Sequence, residues 1–174
     1  IADYGVMMYI SMIFASVFTG YSVGTAPVIS FQYGAENYRE LRSVLRKSLL
    51  LLLGSGLAMT LGAELFAAPL CSLFVGYDAA LLEKTVSGFH KFALSFFLMG
   101  FGIYGSAFFT ALNEGLISAL IAFLRTFVFE TAAVLLLPLF LGISGIWYSV
   151  VVAEAMALVL TAWFLVRGLS RMPS

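Results

Sequence analysis

A bundle of membrane-spanning α-helices is the fold class this sequence predicts, and three observations predict it. Hydrophobic residues make up 62% of the 174 and charged ones 10%, with a mean hydropathy of +1.05, well beyond the apolar share of a water-soluble domain. Apolar stretches recur five times, each long enough to cross a hydrocarbon core of about 30 Å as a helix. None shows the two-residue alternation of a barrel strand, and in lipid the backbone polar groups must be satisfied within the structure. The expectation is an all-α membrane protein, a bundle of five transmembrane helices.

The spans are predicted at about residues 5–31, 48–74, 90–112, 116–141 and 144–167. Between the first two lies GYSVGTAPVISFQYGAENYRELRSVLRK, residues 20–47, an apolar run that ends in a glycine turn and a basic elbow. Gly34 is expected to end the first helix in a left-handed conformation. Asn37 followed by Glu40 resembles a capping box that starts the next helix at Tyr38. Leu41, Val44 and Leu45 then share one apolar side, while Arg39, Arg42, Arg46 and Lys47 point to headgroups, which makes a short amphipathic ramp into the second span.

Charge orients the bundle. With the elbow inside, the inner face holds Arg39, Arg42, Arg46, Lys47, Arg125, Arg167 and Arg171, and only Lys84 and Lys91 lie outside. That asymmetry predicts a cytoplasmic carboxyl terminus. Trp147 and Trp163, near opposite ends of the last span, suit the two interfacial belts. Small residues one turn apart mark close helix approach: Gly20 and Gly24, then Gly54, Ala58 and Gly62, then Gly102 and Ser106. Pro27 and Pro138 interrupt the backbone ladder of their spans.

Composition also excludes. A formal net charge of zero argues against a nucleic-acid partner, which calls for a basic surface. The one cysteine, Cys71, has no disulfide partner in the chain, and with a single histidine, His90, it has no metal-ligating company. It reads as a small buried apolar residue. No nucleotide loop, zinc motif or serine–histidine constellation appears, so the protein is not expected to be an enzyme. The chain opens on Ile1 without a signal-peptide pattern and reads as a piece of something longer. Asp3 stands too close to that end to interpret.

Ionisable groups inside the bilayer are the sharpest functional clue, because each costs about 2.5–3.5 kcal/mol at a helix centre on insertion scales. Glu130 and Glu154 lie 13 residues before and 11 after Ile143 in the short LGISGI connection, hence about 20 Å and 16 Å along an antiparallel hairpin. Two carboxyls at similar depth can couple protonation to conformation, or hold a sodium ion or a cationic solute. Arg125 sits nearer the inner end, five residues before Glu130, a spacing that does not put the two on one helix face. Glu64 belongs near the outer surface. The third span carries Phe92, Phe96, Phe97, Phe101, Phe108 and Phe109 with Met99 and Tyr104. Such a wall either packs or holds flat lipophilic cations, and Tyr21, Phe97, Phe101 and Tyr104 are the candidate cavity lining.

The segment GYSVGTAPVISFQYGAENYRELRSVLRKSLLLLL resembles multidrug and toxic compound extrusion (MATE) transporters, where a helix ends in a glycine-alanine-asparagine turn before a basic loop. FAAPLCSLF, SAFFTALNEG and LRTFVFETAAVLLLPLFLGISGIWYSVVVAEAMALV follow in the family's order. The resemblance implies most of a six-helix carboxyl-terminal lobe, helices eight to twelve, whose partner would be the missing amino-terminal lobe. It implies an antiporter in a bacterial-type inner membrane that exports small lipophilic or cationic solutes against protons or sodium ions. No cofactor is implied beyond that coupling ion, and the partners are substrate and membrane lipid. The third span has no acid where some members carry a cation-binding aspartate, while Glu130 and Glu154 fall where a bacterial subset bears glutamates. A lipid-linked precursor flippase of the same superfamily and a non-transporting scaffold subunit remain the alternatives.

Overall fold

At Asn37 the chain turns from its first helix into its second, and the turn shows how local chemistry sets the architecture. The computed structural model describes residues 2–173, with side chains from Gly5 onward, so Ile1 and the Asp3 side chain lie outside the described residues. Helix α1 (Ala2–Gly34) ends with the Asn37 amide donating to the Gln32 carbonyl at 2.9 Å and the Glu36 amide to that of Tyr33 at 3.1 Å. This is a Schellman closure. Its left-handed residue is Glu36, at φ 55°, rather than Gly34; the helix runs two residues past the glycine's expected role, and the paired hydrogen bonds hold Glu36 in place. Only half of the expected capping box forms. Asn37 Oδ1 accepts from the Glu40 amide at 3.3 Å, but the Asn37 amide is already committed to Gln32.

Helix α2 (Tyr38–Leu65) begins directly at the elbow, so ramp and span are one continuous helix, and the span lies earlier than residues 48–74. Nothing between Tyr38 and Ser48 breaks the ladder. What stops it is Pro69: proline has no amide to donate to the Leu65 carbonyl. The chain bends at Phe66 and restarts as the short α3 (Ala67–Val75). Leu41 and Leu45 are buried on the ramp's inner side. Arg39, Arg46 and Lys47 are exposed, but Arg42 turns inward, donating from Nη2 to the carbonyls of Leu169 and Met172 at 3.3 and 2.9 Å. It caps the last helix and ties the two ends together.

Asp78 caps α4 (Ala79–Ala111) by accepting from the amides of Ala80 and Leu81. A second Schellman closure, with Asn113 at φ 62° and Glu114 bonded back to Phe109, leads into α5 (Gly115–Phe123). A π-helical turn, Leu124–Phe129, joins α5 to α6 (Glu130–Leu141), so that the three pieces make one span. Gly142 alone connects α6 to α7 (Ile143–Ser170); its φ of 59° with ψ −141° suits only glycine. Five helices among the described residues are long and apolar enough to cross a membrane: Gly5–Gly34, Tyr38–Leu65, Ala79–Ala111, Gly115–Leu141 and Ile143–Ser170.

Helix α4 is the axis of the bundle, packed against α1, α2, α3, α5 and α7. Phe89, Phe92, Phe96, Tyr104, Phe108 and Phe109 are all buried on it, so most of the aromatic wall is core. Neighbours reach it through its glycines. A Cβ on Gly100 would lie 2.8 Å from the Phe18 ring, and one on Gly105 would lie 2.1 Å from the Thr161 methyl. Of the expected small-residue contacts, only Gly102 and Ser106 meet partners. A Cβ on Gly20, Gly24, Gly54 or Gly62 would touch nothing within 4 Å, because those rows face away from α4, the helix that gathers the packing.

Candidate functional site

Three charged side chains meet midway along the bundle. Arg125 stands on the π turn, Glu154 on α7 and Glu130 at the start of α6. Measured along the helices, Arg125 and Glu130 lie about 15 and 22 Å from Gly115, and Glu154 about 16 Å from Ile143 at the far end of its helix. All three therefore sit well inside the spans. Arg125 donates from Nε to both Glu154 oxygens, at 3.1 and 2.9 Å, and from Nη2 to Oε1 at 2.8 Å. This is a bidentate, charge-assisted pair. The side chains are 18% and 8% exposed, so water screens it little.

Gly102 of α4 provides the floor. A Cβ there would meet Arg125 Cδ at 2.9 Å, Nε at 3.1 Å and Glu154 Oε2 at 3.7 Å, so the pair lies directly across the glycine. Glu130 is half-buried and within electrostatic reach of both Arg125 and Glu154, yet forms no ion pair among the described residues. A regular helix would put Arg125 and Glu130 on different faces. The π turn, bonded i to i+5, brings residues five apart close to one side.

The arrangement differs from the expected pair of facing glutamates. Glu154 is matched by an arginine, and Glu130 is the carboxyl left over. Sequence spacing missed the bridge because Arg125 lies seven residues from the level of Glu154 in the hairpin, about 10 Å, a gap closed by two long side chains over a residue without a Cβ. The available signal was Gly102 itself, read only as a packing position.

The candidate cavity residues do not share one wall. Tyr104 is 1% exposed, packed between the tilted rings of Tyr21 and Phe108 at 5.9 and 6.2 Å, and is a core residue. Its hydroxyl lies beside Ser48 and Thr25 without a hydrogen bond of good geometry. Tyr21 joins α1 to α2 by a 2.8 Å hydrogen bond with Ser48. Phe97 backs onto Gly56, and Phe101 opens onto an apolar groove of about 370 Å³ at the elbow end, with Arg42, Leu45 and Leu49. Of the aromatic residues on the central helix, Phe89, Phe92, Phe96, Tyr104, Phe108 and Phe109 are taken up by packing against neighbouring helices, whereas Phe97 and Phe101 stay partly exposed.

Toward the elbow end, Ser106, Thr110 and Ser118 form a hydroxyl cluster, with Oγ–Oγ1 and Oγ–Oγ contacts of 2.6 and 2.9 Å at Ser118. At the opposite end His90 Nδ1 pairs with Glu64, which agrees with a partly solvated place for that carboxylate. Cys71 is fully buried. Among the described residues no group of acids, histidine and cysteine is placed to hold a metal.

The MatE family model matches residues 1–136. The chain belongs to the MatE family. The same fold appears in a multidrug-resistance MATE transporter of the MOP superfamily in its outward-facing conformation, with TM-score 0.91, 22% identity, and cover of 98% of this chain and 39% of that one. A MATE protein in complex with MaL6 gives TM-score 0.90 at 20% identity, over 98% and 39% of the two chains. The MATE transporter VcmN of Vibrio cholerae, in its bent form, gives TM-score 0.89 at 20% identity, over 97% and 38%. The chain thus spans about 39% of the length of the first two of these MATE structures. No curated protein matches it in sequence. MATE proteins are transporters and not enzymes, and the five apolar helices make this chain an integral membrane protein.

Proposed function

We propose that this chain is most of the carboxyl-terminal lobe of a secondary active antiporter that exports small lipophilic or cationic solutes in exchange for protons or sodium ions, with its carboxyl terminus on the cytoplasmic side of the cell membrane. The observation that carries the proposal is the mid-membrane triad, a buried Arg125–Glu154 pair with Glu130 beside it and unpaired. A neutralised pair is a stable resident of a lipid-embedded bundle; a third carboxyl beside it is a group that can change its charge. When Glu130 is ionised, it competes with Glu154 for Arg125. When Glu130 binds a proton, Arg125 returns wholly to Glu154. Two arrangements of one arginine, selected by a cation arriving from water, give the charge change that a conformational switch needs. The π turn adds to this, since it places Arg125 where the helix ladder is already relaxed.

The positive-inside asymmetry supports the orientation, since the seven basic residues expected inside include the elbow and both arginines at the end of α7. The amino-terminal lobe is the partner this reading requires, and substrate and lipid are the others. No cofactor enters it.

The test is energised efflux of a cationic dye by the full-length protein that contains this chain, with Glu130→Gln and Glu154→Gln. Rates are expressed per molecule present in the membrane. Glu130→Gln is expected to lower energised efflux while membrane levels hold. Unchanged efflux in both variants would end the coupling reading.

A further inference from the structure

We propose that the cleft between α4 and α7, at the end of the bundle opposite the elbow, is a binding site for a phosphate-bearing anion, with the headgroup of an anionic phospholipid as its fitting source. Lys84, Gly88 and Lys91 lie on one stripe of α4, at spacings of four and three. Gly88 lets α7 come close: a Cβ there would sit 2.7 Å from the Trp147 ring, so the indole forms the wall between the two lysines. Ser144, one turn before Trp147, accepts from Lys91 Nζ at 3.0 Å. The cleft encloses about 670 Å³ with a mixed polar and apolar lining.

The charges at this end converge on it. Both lysines expected on this side of the bundle line it, together with one acid, Glu83. The other acids are engaged elsewhere: Asp78 caps α4, and Glu64 pairs with His90. Neither Lys84 nor Lys91 forms an ion pair among the described residues. Two ammonium groups therefore face one carboxylate, with a hydroxyl and an indole between them and the first amides of the 28-residue α7 alongside, at the end of the helix that favours an anion. No side chain caps those amides. Lysine is a point-charge phosphate ligand, and its two flexible stems span the roughly 10 Å between positions seven apart on a helix. Tryptophan at the end of a span sits at headgroup depth, which favours a lipid phosphate over a soluble one.

The full-length protein, purified and exchanged into defined lipid, provides the measurement. Bound phosphatidylglycerol and phosphatidylcholine are counted by native mass spectrometry, and inorganic phosphate is added as a competitor. Wild type is expected to prefer phosphatidylglycerol. Lys84→Gln/Lys91→Gln lowers that affinity about 25-fold, about fivefold per lysine, while Lys84→Arg/Lys91→Arg keeps it. Displacement by millimolar phosphate supports the anion site and assigns it to the free ion; no displacement assigns it to lipid. An unchanged preference in the glutamine pair, or an equal loss in Lys47→Gln at the opposite end, overturns the proposal.

Discussion

Glu154→Gln is the substitution whose consequence the structure sizes best. Three hydrogen bonds of 2.8 to 3.1 Å hold Arg125 to Glu154, in side chains 18% and 8% exposed. Glutamine keeps one acceptor but turns its amide hydrogens toward a guanidinium that has only donors. The arginine charge is then left over Gly102 with Glu130 as its one nearby anion. Removing one partner of a buried pair costs about 3–5 kcal/mol, whereas replacing both by apolar side chains of similar volume is often close to neutral. Arg125→Met with Glu154→Met is therefore expected to be more stable than either single change. The coupling in the double-mutant cycle is therefore expected at or beyond the upper end, about 3 kcal/mol, of the range for residues in contact. Thermal unfolding in detergent reads it, followed by a thiol-reactive dye at Cys71, which is 0% exposed in the folded chain, in a background with no other cysteine. A coupling below about 0.5 kcal/mol, the level at which independent sites simply add, would refute the bridge.

Gly102→Ala tests the same junction from its floor: a Cβ 2.9 Å from Arg125 Cδ pushes the arginine off Glu154, so a loss of about 1–3 kcal/mol is expected from overpacking, and the same dye assay checks it. In the Arg125→Met background that loss shrinks, since a flexible methionine can move aside. Gly145→Ala meets backbone, with the Leu137 carbonyl at 2.6 Å and the Pro138 nitrogen at 2.7 Å; the hairpin must open, and a loss at or beyond the upper end of that overpacking range is expected as a lower unfolding midpoint. Asn37→Ala removes one cap of α2 and should cost about 1 kcal/mol, with amide exchange rising at the elbow and not in α4.

Much of the architecture is legible in the residues because it is written locally. Runs of about 20 apolar residues declare a helix in lipid wherever they occur. Asn37 with Glu40 marks the start of α2 at Tyr38, and LGISGI reads as a hairpin because a short loop leaves two helices no other course. The turn residue was harder to locate. Both Schellman closures settle their left-handed position through hydrogen bonds, so Glu36 and Asn113 hold it and Gly34 does not. Pro69 stood in the sequence, but its effect on α2 depends on which carbonyl loses its partner.

The sequence alone determined that this chain lives in a membrane, how many of its runs are long and apolar enough to cross one, which ends carry positive charge, and which few residues bring charge into the spans. Each of these follows from composition or from neighbours within a turn or two. Only the tertiary structure decided that α4 is the axis, that its aromatic residues pack inward, that the rows at Gly20 and Gly54 face away from it, and that Arg125 belongs to Glu154. Those outcomes depend on helix crossing and register across more than 20 residues of chain. There a missing Cβ at Gly102 and one π turn shift a long side chain by more than sequence spacing resolves.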